Sequence, residues 1–401
     1  MGIFVVFCSF AALALGPGLL NAYGVYEEEY DRLFDNKDGG HYTSALGSPV
    51  IFIGIIQIFL ANGTGFIGGH CTRRFGPGPS VFAGGILMSL GLLGASYSRQ
   101  IWQLCLTQGF LFGLGACLVW IPAASAPSSW FDKNRGVATG ITHMGLGVGG
   151  LVFAPVTRFL LEKSGTGGSL RWLSLIILIS ITAVSLAKEP SPAPKEAAEP
   201  PISTNLLKSW RFWLLSVGVG TGQAAWYIVL LFMASVSVSV GLDVHNAAIV
   251  LGSVNGASAV GQFMAGYAAD IVGPVNSLLI FTALATISNV ILFVPRLSLH
   301  LLIAYACLCG ASIGAADPLA VMANVTQFGR ARAATTTGFA YGSVGVFVAI
   351  LVPNARIVLE TIGGGKNFAP VHVFTIIIFA ASSLLLLLLR LNISHRLFVR
   401  V

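Results

Sequence analysis

Apolar residues gather along this chain in twelve long runs, at 3–25, 46–68, 79–97, 102–127, 136–158, 171–187, 211–239, 246–268, 276–294, 299–323, 335–355 and 371–390. Most approach or exceed the roughly 20 residues that a helix needs to cross about 30 Å of hydrocarbon. The pattern predicts an all-α membrane protein with twelve transmembrane helices. The polar intervals are short except at 26–45 and at 188–209, and in the second Glu189-Pro190-Ser191-Pro192-Ala193-Pro194-Lys195 lies in a stretch that cannot bury a core. Read as a solvated linker, it separates an N-terminal half, 1–187, from a C-terminal half, 210–401, with six segments in each.

Two motifs return at one offset. Phe131, Lys133 and Arg135 recur as Phe328, Arg330 and Arg332, each 197 residues later, and Gly69, Gly76 and Pro77 recur at that spacing as Gly266, Gly273 and Pro274. One offset serving two motifs indicates a duplicated half, so the two sets of six helices are expected to be pseudo-symmetric.

Composition agrees with a membrane chain: 55% of residues are hydrophobic, 9% are charged, and the 48 glycines suit helices that pack through small residues. With both termini placed in the cytoplasm, 13 of the 22 Lys and Arg fall on the inner side and 9 on the outer. That bias has the expected sign. The six cysteines lie in or beside apolar runs without His or acidic company, so they read as buried thiols, not as a metal site. Nothing points to nucleic acid, a cofactor or a metal, and no nucleophile–base pair suggests an enzyme.

Gly145-x-Gly147-x-x-Gly150 matches the dinucleotide fingerprint but lies inside an apolar segment, without the preceding strand that the fingerprint needs. With Gly136-x-x-x-Gly140 it reads as a small-residue packing face. Gly252-x-x-x-Gly256 repeats the idea, making segments five and eight candidates for a sliding contact, with static packing as the other reading. Asp270 is placed to accept from the exposed amides of a neighbouring helix N-terminus. Its duplicate is Arg73, which with Arg74 also serves topology. Asn62-Gly63-Thr64 and Asn324-Val325-Thr326 fit the glycosylation pattern but fall within the membrane.

Two ionisable residues lie well inside segments, His143 on the fifth and Asp317 on the tenth, each about 10 Å from the cytoplasmic end. A carboxyl there is costly when charged and is a functional candidate by default. The alternatives are a hydrogen-bonded packing role for His143 and, for Asp317, satisfaction of backbone groups freed by Pro318.

Two six-helix halves, a central linker and Gly266-x-x-x-Asp270-x-x-Gly273 resemble the major facilitator superfamily. Gln108-Gly109-x-x-x-Gly113-x-Gly115, Pro122, Trp130-Phe131-x-Lys133-x-Arg135-x-x-Ala138-x-Gly140 and Asn255-Gly256-Ala257-Ser258-Ala259-Val260-Gly261 are similar to its monocarboxylate-porter branch, particularly the fungal members. The resemblance implies alternating access around a site between the halves, lined by helices 1, 4, 7 and 10. It nominates Asn21, Trp120, Gln223, Trp226, Tyr227, Gln262 and Asp317 as cavity residues. Asp317 and His143 are the proton-coupling candidates, and Arg73, Lys133, Arg135, Asp270, Arg330 and Arg332 the gating ones.

Carboxylate carriers of that branch have a Lys on helix 1 and an Arg on helix 8, but here no Lys precedes Lys37 and the Arg position holds Gln262. A neutral amide cannot replace the bidentate fork of Arg. The expectation is a monomeric plasma-membrane secondary transporter for an uncharged or bulky organic solute, coupled to protons. A proton-linked monocarboxylate carrier that anchors its anion through Arg158 or His143 is one alternative, and a non-transporting sensor or scaffold is another. Lys133, Arg135, Arg330 and Arg332 would crowd one face, with Asp132 and Asp270 as the nearest counter-charges.

Overall fold

The computed structural model describes residues 2–38, 50–131, 133–186, 204–293 and 298–394, and among these the regular structure is helical throughout. Backbone in hydrocarbon has no water to bond to, and a helix satisfies its own amides and carbonyls. Helix α1 starts as Gly2–Leu15, tightens into a 3-10 turn at Pro17–Ala22 and continues as Tyr23–Asp38. Helix α2 is Ile51–Gly63 and Gly65–Phe75, bent by 44°. Next come α3 (Pro77–Ala95) and α4 (Ile101–Ser128). The run Arg135–Leu186 is two helices, α5 (135–164) and α6 (166–186), meeting at Gly165, whose φ of 67° and ψ of 178° break the helical path. The second half holds α7 (Trp210–Ser239), α8 (Val244–Val272), α9 (Pro274–Asn289), α10 (Leu299–Phe328), α11 (Ala333–Thr361) and α12 (Ala369–Ile393).

Eight helical stretches are long and apolar enough to span a bilayer, and the bent α2 makes nine. Dividing α5 from α6, and adding the more polar α8 and the shorter α9, gives the twelve expected. Large apolar side chains such as Phe66, Leu151, Trp172, Phe263 and Ile350 point outward, as a lipid-facing surface requires. Several helices run longer than the apolar runs, because hydrophobicity falls away before helix does: α10 continues to Phe328 and not 323, and α5 passes Arg158.

The duplication is visible in backbone geometry. Gly76 has φ 91° and ψ 166°, and Gly273 has φ 93° and ψ 152°. Each turns the chain in a conformation that favours glycine, and each hands a proline to the first turn of the next helix. We call the end that holds these two corners, together with the α4–α5 and α10–α11 connections, the basic end.

Each half is stitched internally by buried polar contacts. Tyr30 donates to Gln108 at 2.6 Å, Tyr26 pairs with Ser169 at 2.9 Å and Ser89 with Ser174 at 2.9 Å. In the other half Tyr305 donates to Asn289 at 3.0 Å and Ser382 to the Gly218 carbonyl at 2.6 Å.

Across the halves the contact is backbone on backbone. A Cβ added at Gly266 would lie 2.2 Å from the Gly136 carbonyl, and one at Gly338 would lie 2.3 Å from that of Gly65. The α5–α8 seam runs on through Gly140 against Gln262 and Gly147 against Ala259, and the α2–α11 seam through Gly69 against Ala334. Farther from the basic end Gly252 and Gly256 meet nothing within 4 Å, so this pair does not pack on α5 as its spacing suggests. It continues the α8 stripe of Ala259 and Gly266 where α5 has diverged. The α5–α8 seam is therefore closed at the basic end and open at Gly252 and Gly256.

Gly266→Ala should hold this seam apart. Overpacking against fixed backbone costs about 1–3 kcal/mol, equivalent to a roughly 5- to 150-fold shift in the closed-to-open ratio. A cysteine at buried Thr336 should then react faster with a water-soluble maleimide than in a Gly266 background.

Candidate functional site

With α10 extending to Phe328, Asp317 lies eleven residues from its basic end, about 16 Å at 1.5 Å per residue and so near the middle of a 30 Å core. The helix ladder loosens just before it: Ala315 N reaches Ala311 O at 3.3 Å, and Leu319 N reaches Ala315 O at 3.4 Å. Pro318 removes the next donor. The Asp317 carboxyl is not used to repair that gap. Its Oδ1 accepts from Gln223 Nε2 of α7 at 2.7 Å and from the Tyr341 hydroxyl of α11 at 3.1 Å. Oδ2 has no hydrogen-bond partner among the described residues, and it is not one of the sealed polar atoms of the interior. Asp317 is half-buried, and this oxygen is not sealed from its surroundings.

The surroundings join the two halves. Trp120 of α4 packs on Tyr341, ring centroids 5.5 Å apart and planes at 57°. Asn62 of α2 reaches the Tyr227 hydroxyl of α7 at 3.4 Å, and Tyr227 follows Gln223 by one helical turn on α7. Asp317, Gln223, Tyr227 and Trp120, nominated separately, thus form one cluster. Trp120 and Asp317 are also repeat partners, 197 residues apart, so α4 and α10 present an aromatic and a carboxyl at equivalent positions. In the sequence Asn62 and Tyr341 are two polar residues among many within apolar runs. What singles them out is their partners on other helices.

Three nominated residues lie elsewhere. Asn21 donates to the Leu146 carbonyl at 3.1 Å and ties α1 to α5. Trp226 is buried in the hydrophobic core. Gln262 is 2% exposed in the α5–α8 seam. His143 is also sealed, with Nδ1 against the Thr139 carbonyl at 2.9 Å, the hydrogen-bonded packing arrangement. Arg158 does not reach mid-depth: it pairs with Glu28 at 3.1 Å near the opposite end, both side chains about half exposed.

At the basic end Asp270 accepts from the amides of Gly136 at 2.9 Å and Val137 at 3.0 Å, the first turn of α5. Helix N-termini leave such donors unpaired and carry partial positive charge, so a carboxylate satisfies both needs. Both oxygens are committed there, and Asp270 forms no ion pair with Lys133, Arg135, Arg330 or Arg332. Its counter-charge is the helix end. Arg135 donates Nε to the Phe131 carbonyl at 3.0 Å, and Lys133 is exposed. Arg73 sits in the last turn of α2 with Arg74, whose guanidinium lies over the Phe75 ring at 5.5 Å. Asp132 lies outside the described residues.

Comparison with known proteins decides the family: residues 2–353 match the model described as Major Facilitator Superfamily. The chain belongs to the Major Facilitator Superfamily. Its similar relatives within the superfamily are fungal. The fujikurins efflux protein of Gibberella fujikuroi is 30% identical over 77% of this chain and 64% of its own length, so this chain spans under two thirds of that relative. The MFS transporter asaE of Aspergillus flavus is 29% identical over 89% of this chain and 78% of its own. The agnestins efflux protein AgnL12 of Paecilomyces divaricatus is 28% identical over 69% and 62%. Among solved structures, the E. coli fucose:proton symporter FucP superposes with a TM-score of 0.71 at 14% identity, covering 96% of this chain and 98% of that one. A second FucP structure, in the outward conformation, gives the same values.

In this superfamily member, Asp270→Ala should weaken closure of the basic end by about 1–2 kcal/mol, since two amides lose a charged acceptor in a half-buried setting. A cysteine at buried Thr139 should then label roughly tenfold faster, with Asp270→Asn intermediate.

Proposed function

We propose that this protein exports a bulky or uncharged organic metabolite in exchange for protons, with Asp317 as the group that carries the proton. Superfamily membership makes it a secondary transporter and not an enzyme. The observation that carries the finer reading is the mid-depth carboxyl, with one oxygen held by Gln223 and Tyr341 and the other without a hydrogen-bond partner among the described residues. Export draws support from relatives named as efflux proteins. Proton coupling draws support from the carboxyl itself, which is costly to keep charged at that depth.

Two halves, 1–187 and 210–401, rock about the glycine seams, with 188–209 joining them. Asn62, Trp120, Gln223, Tyr227 and Tyr341 form the floor on which solute rests. Gln262 and His143 sit in the α5–α8 seam and act there, with His143 in a packing role. Asp270 and the α5 amides fasten the basic end. The charge bias supports a cytoplasmic position for that end and for both termini, and the export reading calls for a plasma membrane. Motifs of the monocarboxylate-porter branch accompany a site without that branch's cationic anchors, which favours a neutral solute over a small anion.

An untargeted metabolite comparison tests the reading. Cells expressing the wild type should lose to the medium a set of metabolites that vector cells retain, and acidifying the medium should increase the loss. Asp317→Asn at equal surface expression should abolish the pH response and most of the export. Identical profiles for wild type and Asp317→Asn would refute the role of Asp317.

A further inference from the structure

Hydrogen bonds inside each half are short, whereas at the mid-depth cluster those between the halves are long or unmade. Tyr30 donates to Gln108 at 2.6 Å within one half and Tyr305 to Asn289 at 3.0 Å within the other. Across the halves, Asn62 Nδ2 reaches the Tyr227 oxygen at 3.4 Å, although the same nitrogen already donates to the Ile58 carbonyl of its own helix at 2.9 Å. Trp120 lays its ring on Tyr341, yet its indole Nε1 has no hydrogen-bond partner, because the neighbouring Tyr341 oxygen is out of line with it.

These two contacts leave two donors unspent. An indole N–H donates and never accepts, so only an acceptor satisfies Trp120. The Tyr227 hydroxyl accepts from Asn62, and its own hydrogen has no acceptor among the described residues. Both side chains are buried, Trp120 5% and Tyr227 7% exposed. A buried donor without an acceptor carries the full cost of its lost hydration. Trp120 belongs to α4 of the first half and Tyr227 to α7 of the second. A solute that accepts from both therefore links the halves and recovers a cost that the protein bears alone.

We infer that solute is recognised through carbonyl oxygens, which accept from the indole N–H of Trp120 and the O–H of Tyr227. The inference rests on the reading of this cluster as the floor of the solute site and adds the chemistry of the solute. A carbonyl oxygen has two lone pairs and no hydrogen to place, which suits a pair of donors. A solute hydroxyl or amine would bring further donors to groups that already lack acceptors. The rings of Trp120, Tyr227 and Tyr341 match a flat conjugated skeleton beside the oxygen, so aromatic ketones, quinones and lactones are the class. These oxygens reach the donors by displacing the Trp120–Tyr341 and Asn62–Tyr227 contacts. Little is lost in the exchange, since Asn62 keeps its bond to Ile58 and Tyr341 keeps its bond to Asp317.

Isothermal titration of the purified full-length protein in detergent tests this, with acetylnaphthalene and isopropylnaphthalene as probes and empty micelles subtracted. The two probes share their shape and differ at the carbonyl oxygen, so their affinity ratio reports the hydrogen bonds it accepts. Wild type should bind the ketone roughly tenfold or more tightly than the hydrocarbon. Trp120→Phe and Tyr227→Phe each keep an aromatic ring and remove one donor. Each should cut the preference by roughly threefold or more, and the double variant should bind both probes about equally. Hydrocarbon binding should persist in all three variants, which a packing role for these rings does not predict. Equal affinities in wild type, binding of neither probe, a preference that survives the double variant, or a parallel loss of both probes in the variants overturns the inference. If wild type shows no preference for the ketone while Asp317→Asn still abolishes pH-driven metabolite export, carbonyl recognition fails and the export reading stands. If the preference and its loss are as expected while wild-type and vector cells release identical metabolites, the export reading fails alone.

Discussion

The approach of backbone to backbone at Gly136–Gly266 and Gly65–Gly338 is the constraint on which the rest of this molecule depends. At both crossings a single methyl group would meet a carbonyl oxygen, so the halves close only because four positions carry no side chain. Within each half, buried hydroxyl and amide pairs lock helices together. Between halves the contact is a smooth small-residue surface with few directional bonds. Such a surface gives little resistance to rotation, while polar stitching keeps each half rigid. That difference lets one chain move as two bodies.

The Asp317 cluster sits where the closed seam ends. Tyr341 belongs to α11, whose Gly338 is buried against Gly65, and its ring leans on Trp120 of the other half. The hydroxyl that holds the carboxyl is therefore on the same turn of helix as the seam. A shift of α11 relative to α2 changes the distance from Tyr341 to Trp120, and with it the donor available to Oδ1. Asn62, one helical turn from Gly65, reaches Tyr227 by the same logic on the opposite side. Proton occupancy and seam geometry are coupled here by adjacency, without a long pathway.

Much of this could be read from residue order. The apolar runs place every helix, and the 197-residue offset pairs the Gly76 and Gly273 corners before their backbone angles are known. Helix ends were less legible, because α10 continues through Asn324 and Gln327, polar residues that end a hydrophobic run without ending a helix. That shortfall made Asp317 look shallower than it is. The glycine spacing identified α5 and α8 as partners but not which α8 glycine meets α5. Gly252 and Gly266 lie on the same stripe, and only the tilt between helices decides between them. Cavity membership was least legible: Asn21 and Gln262 carry the same amide chemistry as Gln223, yet the first bonds within its half and the second is sealed in the seam.

The sealed amide bears on why both conformations remain within reach. His143 must donate from Nδ1 to the Thr139 carbonyl, which leaves Nε2 an acceptor in the neutral ring, and Nε2 has no partner. Gln262 Oε1, another acceptor, has none either. Position 143 falls between Gly140 and Gly147 on α5, and 262 between Ala259 and Gly266 on α8, so both occupy one level of the seam. Both unpartnered acceptors gain hydrogen bonds when the seam opens to water. That gain offsets part of the packing lost at the glycines and keeps the closed state from being too deep to leave. Arg at position 262 would remove the unpartnered Oε1 and add a charge to be buried. The seam is thus poised by what its polar groups lack, while the glycines set how closely it shuts.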